Sequence, residues 1–243
     1  MNQTKYISIF LFIILWQSLA IIINSSVFPT VIDIFINMIN HIVNGELLHS
    51  LYITLYRVFI SFMICMIIGI SFGILMGLYS KINDILDFLL IIGLNLPALV
   101  TIIICYIWFG LSDFAALLAV ILNKVPIIIV NIREGARAIE RKYFDLAIVY
   151  QIPKKEVIRK IYLPQLYPYI MATTRLSLSL IWKIVLFVEL LGRSDGVGFQ
   201  ISMFFQSFDI KSILSYSFAF ILVVLFIENF ILEPLDRRIK RWK

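Results

Sequence analysis

The stretch Val58–Leu78, VFISFMICMIIGISFGILMGL, is twenty-one residues long and carries no charge. A bilayer's hydrocarbon core, about 30 Å thick, is crossed by about 20 apolar residues of α-helix. The run therefore reads as a transmembrane span. Within it Ser61, Cys65, Gly69, Gly73 and Gly77 recur every four residues, a stripe of small side chains on one helix face. Small residues let another helix approach closely, so the stripe predicts helix packing, at a subunit interface or at a moving seam. Arg57 stands at the head of the same stripe, where it can snorkel to the headgroups or meet a solute.

Outward from this span the signal repeats. The 243-residue chain is 61% hydrophobic and only 15% charged, with a mean hydropathy of +0.98. A soluble domain carries about 25% charged residues, and one core of this size could not hide so much apolar surface. Further spans are expected at 7–23, 84–109, 114–132, 169–191 and 213–232, an all-α polytopic bundle of about six crossings. Pro97 should kink the third, and Lys124 and Pro126 interrupt the fourth. The ten-residue alternation of a membrane β-barrel is absent. No small-x-small cleavage site follows the first run, so it reads as a span and not as a signal peptide.

Residues 24–50 behave differently. After Pro29, apolar Val31, Ile34, Phe35, Met38, Ile39 and Ile42 recur at helical spacing among Asp33, Asn37, Asn40 and His41. That pattern predicts an amphipathic helix lying on the outer membrane surface. His41 and His49 read as solvated, because no third ligand sits near them. Cys65 and Cys105 lie in apolar runs without metal or redox spacing. No metal site and no cofactor is expected.

Lys and Arg decide the orientation, since they accumulate on the cytoplasmic side. With six spans, fifteen fall on the side of the termini: Lys5, Lys81, eight between Arg133 and Lys160, and five from Arg237 onward. Only Arg193 and Lys211 fall on the other, and Arg57, Lys124, Arg175 and Lys183 lie in or at the ends of spans. Both termini are thus expected in the cytoplasm. The tail at 233–243, with Arg237, Arg238, Lys240, Arg241, Trp242 and Lys243, reads as a basic anchor for anionic membrane lipid. Nucleic acid is not an expected partner, for there is no second basic surface or aromatic platform.

The longest segment on that side is 133–168. Arg133, Glu134, Arg137, Glu140 and Arg141 form a charged helical face, as if the fourth span continued into water. DLAIVYQIPKKEVIRKIYLPQLYP, Asp145–Pro168, follows. Ala147, Ile148 and Tyr150 make a short apolar patch, Ile152-Pro153 a turn, and Lys154–Tyr162 a second short helix that Leu163-Pro164 should end. Two short helices about a Pro turn predict a rigid knob suited to a groove on another protein.

At these residues the chain resembles the permease family of ABC importers. The family's cytoplasmic signature has Glu-Ala-Ala, then a Gly, then Ile-x-Leu-Pro. Here Asp145, Leu146 and Ala147 stand at the first triplet, Gln151 at the Gly position, and Ile161, Leu163 and Pro164 at the last group. Gln151 must either take a left-handed conformation at a cost or leave the turning to Pro153. The order of Gly45-Glu46-Leu47-Leu48, Leu55-Tyr56-Arg57-Val58, Ile107–Leu111 (IWFGL), Trp182–Glu189 and Gly196-Val197-Gly198 is similar to the nitrate/sulfonate/taurine-type branch.

The resemblance implies a division of labour. Two permease subunits, as a homodimer or a close heterodimer, enclose a path. A separate ABC ATPase subunit docks on the knob through Asp145, Leu146, Ala147, Gln151, Ile161, Leu163 and Pro164, and an extracytoplasmic substrate-binding protein delivers the solute. The chain would then sit in the bacterial inner membrane and perform no chemistry. It has no GxxxxGK[ST] loop to hold phosphates. The fifth span lines the path in this family, so Lys183 and Glu189, with Lys124 from the fourth, are candidates to face the solute. The bland reading is that both ammonium groups snorkel or pair with lipid or another helix. A secondary transporter or channel is the rival, and it would need no docking knob. An intramembrane enzyme lacks support, because HExxH, GxSxG and paired intramembrane Asp residues are missing.

Overall fold

A computed structural model of the protein describes residues 3–140 and 142–234. Arg141 and the basic tail from 235 onward lie outside the described residues, so the lipid-anchor reading of the tail is not addressed by the structure.

Eleven helices follow in order: α1 (Gln3–Ile23), α2 (Val31–Val43), α3 (Glu46–Leu78), α4 (Ser80–Asn95), α5 (Ala98–Phe109), α6 (Asp113–Arg137), α7 (Lys142–Val149), α8 (Lys154–Val157), α9 (Leu163–Gly192), α10 (Val197–Gln206) and α11 (Ile210–Ile227). Short π-turns follow α8 at Ile158–Tyr162 and α11 at Glu228–Leu232. Among the described residues three helices, α3, α6 and α11 with the turn that extends it, are long and apolar enough to cross a bilayer, and the α4–α5 pair makes a fourth if its bend is taken within one span. Of the other expected spans, 7–23 lies in α1, whose apolar part Phe10–Ile23 is shorter. The remaining one, 169–191, lies in the thirty-residue α9, which also carries Arg175, Lys183 and Glu189.

The core is built on α3 and α6. A Cβ on Gly69 would lie 2.2 Å from Ile128 Cγ2, one on Gly73 2.7 Å from Ile132 Cβ, and one on Gly77 2.5 Å from Ala136 Cβ. Both helices advance four residues between contacts in the same direction, so they run parallel and nearly touch. Ser61 and Cys65 are fully buried on the same stripe. The small-residue stripe is therefore spent on a seam inside the chain, not at a boundary between subunits. α9 packs antiparallel to α6, with Gly135 seated beneath the ring of Tyr169.

The expected kink at Pro97 is a full break. α4 ends at Asn95, Leu96 and Pro97 are extended, and α5 leaves at 98°. A residue before proline is pushed out of the α region by the ring, which explains why Leu96 cannot continue the helix. The pair still traverses the bundle. α4 begins near the end of α6, where Arg133 bonds Asp87 at 2.5 Å and Asn83 at 3.0 Å. α5 ends at the opposite end, where Tyr106 packs on Gly192 and donates its hydroxyl to the Val188 carbonyl at 2.8 Å. Pro126, by contrast, sits inside an unbroken α6.

α2 turns a mixed face inward, with apolar Ile34 and Met38 buried beside polar Asn37 and His41. Asn37 donates to the hydroxyls of Ser212 and Ser215 on α11 at 3.0 and 3.2 Å. His41 lies 3.3 Å from both Glu46 and Ser212, so it is a bonded junction residue and not a solvated one. Ile32, Phe35, Ile36, Ile39 and Val43 face outward. The inward face thus combines polar partners with core packing, and the remaining apolar residues are left for the surroundings. α3 also starts at Glu46, well ahead of the expected span at Val58.

Candidate functional site

The segment after α6 folds as a compact knob. α7 closes through three backbone bonds: Tyr150 N–H to Leu146 O at 3.0 Å, Gln151 N–H to Ile148 O at 3.0 Å and Ile152 N–H to Ala147 O at 2.9 Å. This is a Schellman ending, which places its C′ residue in the left-handed region and ordinarily uses glycine. Gln151 occupies that place with φ +51°. Of the two ways Gln151 could be accommodated, the chain takes the strained one. Pro153 then opens α8 by accepting from Glu156 and Val157.

Leu163-Pro164 does not end the second short helix. α8 passes through the π-turn, with Leu163 N–H bonded to Ile158 O, straight into α9. An interior proline lacks a donor and clashes with the carbonyl four residues back. The wider π-turn immediately before Pro164 takes up that conflict, so α8 runs on into the long α9, which carries a further proline, Pro168, in its interior. Tyr162, Leu166, Ala136 and Ile139 form the cluster that seats the base of α9, and Phe144 of α7 faces Tyr162 with ring centroids 6.2 Å apart. Burial pushes the Tyr162 phenol above its usual pKa.

The proposed docking residues separate into two sets. Asp145, Leu146, Gln151, Leu163 and Pro164 are exposed, and Ile161 is half-buried. Ala147 is only 3% exposed and faces into the knob, so its side chain supports the surface without reaching a partner. Ile148, Val149 and Tyr150 are each 74% exposed beside Leu146. Sequence reading included Ile148 and Tyr150 in the patch without assigning them to docking. The signal available was a run of apolar residues at the end of a water-facing helix.

A second constellation lies at the other end of α9. Arg57, 3% exposed, donates to Glu189 Oε1 at 2.8 Å, to Asp113 Oδ1 at 2.8 Å, and to the Asp195 carboxylate and carbonyl at 2.5 and 3.1 Å. Glu189 is fully buried, and its second oxygen accepts from the Thr54 hydroxyl at 2.8 Å and the Gly198 amide at 2.9 Å. Thr54 in turn accepts from Val197 N–H at 2.8 Å. Arg193 bonds Asp113 and the Leu111 carbonyl from the rim. Gly196, at φ +98°, closes over the carboxylate so tightly that a Cβ would lie 2.4 Å from Glu189 Cδ.

This arrangement answers what sequence left open for Arg57, which is buried among carboxylates of its own chain and is not free for a solute. Two guanidinium groups meet three carboxylates here, so the cluster cannot serve as an anion site. Glu189, read as a candidate for the path, is enclosed by its partners. The residues missed by sequence reading were Asp113, Asp195 and Thr54, which come together only through the fold. Lys183 projects to the outside of the chain, and Lys124 is half-buried beside Cys65. Neither has an ion-pair partner among the described residues.

Residues 69–241 match the family described as binding-protein-dependent transport system inner membrane component. A Bacillus subtilis (strain 168) permease protein named for aliphatic sulfonates transport is 28% identical over 91% of this chain and 80% of its own length. A bicarbonate transport system permease protein of Synechococcus elongatus is 33% identical over 61% of this chain and 54% of its own length. The taurine transport system permease protein of Escherichia coli (strain K12) is 23% identical over 78% and 68%. Among solved structures, an inward-facing form of the MetNI methionine ABC transporter superposes with a TM-score of 0.69 at 13% identity, covering 81% of this chain and 97% of that one. At such identity the likeness is one of fold. The chain belongs to the family of binding-protein-dependent transport system inner membrane components, the permease subunits of ABC importers.

Proposed function

We propose that this chain encloses, with a second permease subunit, the translocation path of an importer whose ATP is hydrolysed by a separate subunit docked on the α7–α8 knob. The observation that carries the reading is the outward apolar surface of α7, Leu146 with Ile148, Val149 and Tyr150, on a knob whose second helix, α8, runs on into α9. An apolar face left in water invites a partner, and a helix that runs unbroken from α8 to its far end can carry a push. The knob side is the cytoplasmic one, in line with the excess of Lys and Arg there. A binding protein then meets the opposite end, around the α5–α6 and α9–α10 turns.

The solute fits a small molecule bearing an oxyanion group, of the nitrate, sulfonate, taurine or bicarbonate kind. Relatives are named for sulfonates, taurine and bicarbonate, and Lys183 and Lys124 present ammonium groups within the spans without carboxylates to neutralise them. The chain itself breaks no bond.

The experiment is co-purification with the ATPase subunit from membranes expressing the whole transporter. Ile148→Asp combined with Tyr150→Asp should release the ATPase while the permease still inserts and folds. Retained association would remove the docking surface. For the solute, uptake of labelled taurine, methanesulfonate and bicarbonate is compared between the wild type and Lys183→Ala. Unchanged uptake kinetics in that variant would take Lys183 out of the path.

A further inference from the structure

α9 is a single helix of thirty residues, about 45 Å long at 1.5 Å per residue. Its base belongs to the knob, and its far end carries Glu189. Everything around that carboxylate closes inward. Arg57 of α3 reaches it at 2.8 Å, Thr54 of α3 at 2.8 Å, and the Gly198 amide of the returning turn at 2.9 Å. Through Arg57 the same knot takes in Asp113 at the start of α6 and Asp195 in the α9–α10 turn. A Cβ on Gly198 would lie 2.3 Å from the Leu186 carbonyl oxygen, so the turn is seated directly on α9.

We propose that Arg57 and Glu189 are positioning residues for transport, a permanent staple that welds the far end of α9 to α3 so that α3, α6 and α9 turn as one block. The inference rests on the reading that a partner ATPase drives the knob. Two groups of observations separate a staple from a latch that opens in each cycle. First, Glu189 is fully buried and Arg57 almost so, and opening would strand both charges, a Thr hydroxyl and a backbone amide without partners. Second, the rest of the block has no slack. Gly69 and Gly73 leave no space between α3 and α6, and Gly135 none between α6 and Tyr169 of α9. Helices joined at one end by an ionic knot and along their length by contacts this close cannot slide past one another. The seam that opens for the solute then lies between subunits, and the knot converts a push at the knob into rotation of the whole block.

The test uses the complete transporter in proteoliposomes. The Thr54 hydroxyl and the Val197 nitrogen lie 2.8 Å apart, so cysteines at these two positions are near enough to be joined by oxidation or, where the geometry of the bond is not met, by a short thiol cross-linker. Single-cysteine variants control for Cys65 and Cys105. A staple predicts that joining the pair in the Thr54→Cys/Val197→Cys protein leaves ATP turnover where it stood in the reduced protein. A latch predicts that joining stops it, which overturns the proposal. Should the cysteine pair fail to fold, spin labels at the exposed Tyr56 and Leu191 replace it. Their separation should be the same with and without ATP, and a shift on ATP binding overturns the proposal equally. Positioning is read from Glu189→Gln, which should lower uptake of the transported solute roughly tenfold while hydrolysis persists. Glu189→Asp should recover part of the loss. A proportional fall of both activities, tracking the amount of assembled complex, would reduce the pair to a folding role and overturn the proposal. The ATPase-driven reading fails on a different result, namely no ATPase accompanying the wild-type chain, and that result would end this inference with it.

Discussion

The two ends of α9 are held by opposite chemistry. At the knob end the helix stands on Tyr162, Leu166, Ala136 and Ile139, and nearby α7 shows an apolar face to water. At the far end it is tied by Glu189 to Arg57, with the ions closed off from water and glycines folded over them. Apolar packing is non-directional and tolerates small displacements. A buried ion pair with every oxygen engaged does not, because its value depends on geometry. The contrast suggests a member that is free to be engaged at one end and fixed at the other.

The sharpest way to break this comparison is to remove the fixed end. Arg57→Ala leaves Glu189 charged and buried among groups that can no longer balance it. Breaking a buried pair in this way costs about 3–5 kcal/mol. The expected outcome is a large fall in folded yield and in the thermal midpoint of the detergent-solubilised protein. A midpoint within a few degrees of the wild type would mean that the knot contributes little. The engaged end should respond differently. Ile148→Asp with Tyr150→Asp changes residues that are 74% exposed, so the fold should be untouched. The loss should appear in affinity for the ATPase subunit, by about 2–4 kcal/mol if these are central anchors of the contact. A drop in permease stability of similar size would show that the face is packed within the chain after all.

Between the two ends, the α3–α6 seam offers a graded test. Gly73→Val places atoms where the first of them would sit 2.9 Å from the Ile129 carbonyl oxygen, which is backbone and cannot swing aside. Overpacking of this kind costs about 1–3 kcal/mol, measured as a shift in the thermal midpoint. An unaltered midpoint would mean that the helices can part cheaply, and the rigid-block argument would lose its main support.

These regions were unequally legible in the sequence. Val58–Leu78 announced a span because length and apolarity are local properties, and the small stripe announced a close neighbour because periodicity is local too. The identity of that neighbour was not local: α6 meets the stripe from 59 residues further on, at Ile128 for Gly69. Arg57 and Glu189 lie 132 residues apart, so nothing short of the folded bundle could pair them. The partners of α2 were illegible for a related reason. Its polar residues suggested water, but Ser212 and Ser215 supply partners from the far end of the chain. The knob was legible in outline, since prolines and a short apolar patch mark turns and helices. Its continuity into α9 was not, because Pro164 at a helix start and Pro164 after a helix end look alike in sequence.

Gln151 gives the finest test, since it lies where knob rigidity is decided. Its φ of +51° is one that a side chain with a Cβ adopts at a cost. The two bonds of the helix ending, to Ile148 and Ala147, hold it there. Glycine at this position would relieve the strain without moving the bonds, although it adds backbone freedom to the unfolded chain. Relief outweighs that freedom wherever φ is positive, so Gln151→Gly should stabilise the knob by about 1 kcal/mol. Hydrogen exchange at the Ile152 amide, which donates to Ala147 at 2.9 Å, reads this directly as slower exchange by roughly fivefold. Affinity for the ATPase subunit should rise slightly or not at all, because the exposed face is unchanged. Gln151→Pro is the opposite probe. It forbids positive φ and removes the Gln151 donor, so the turn must open and α7 should lose its seat at the base of α9. If the glycine variant exchanges faster than the wild type, the turn is not strained. Its stiffness would then rest on Pro153 alone.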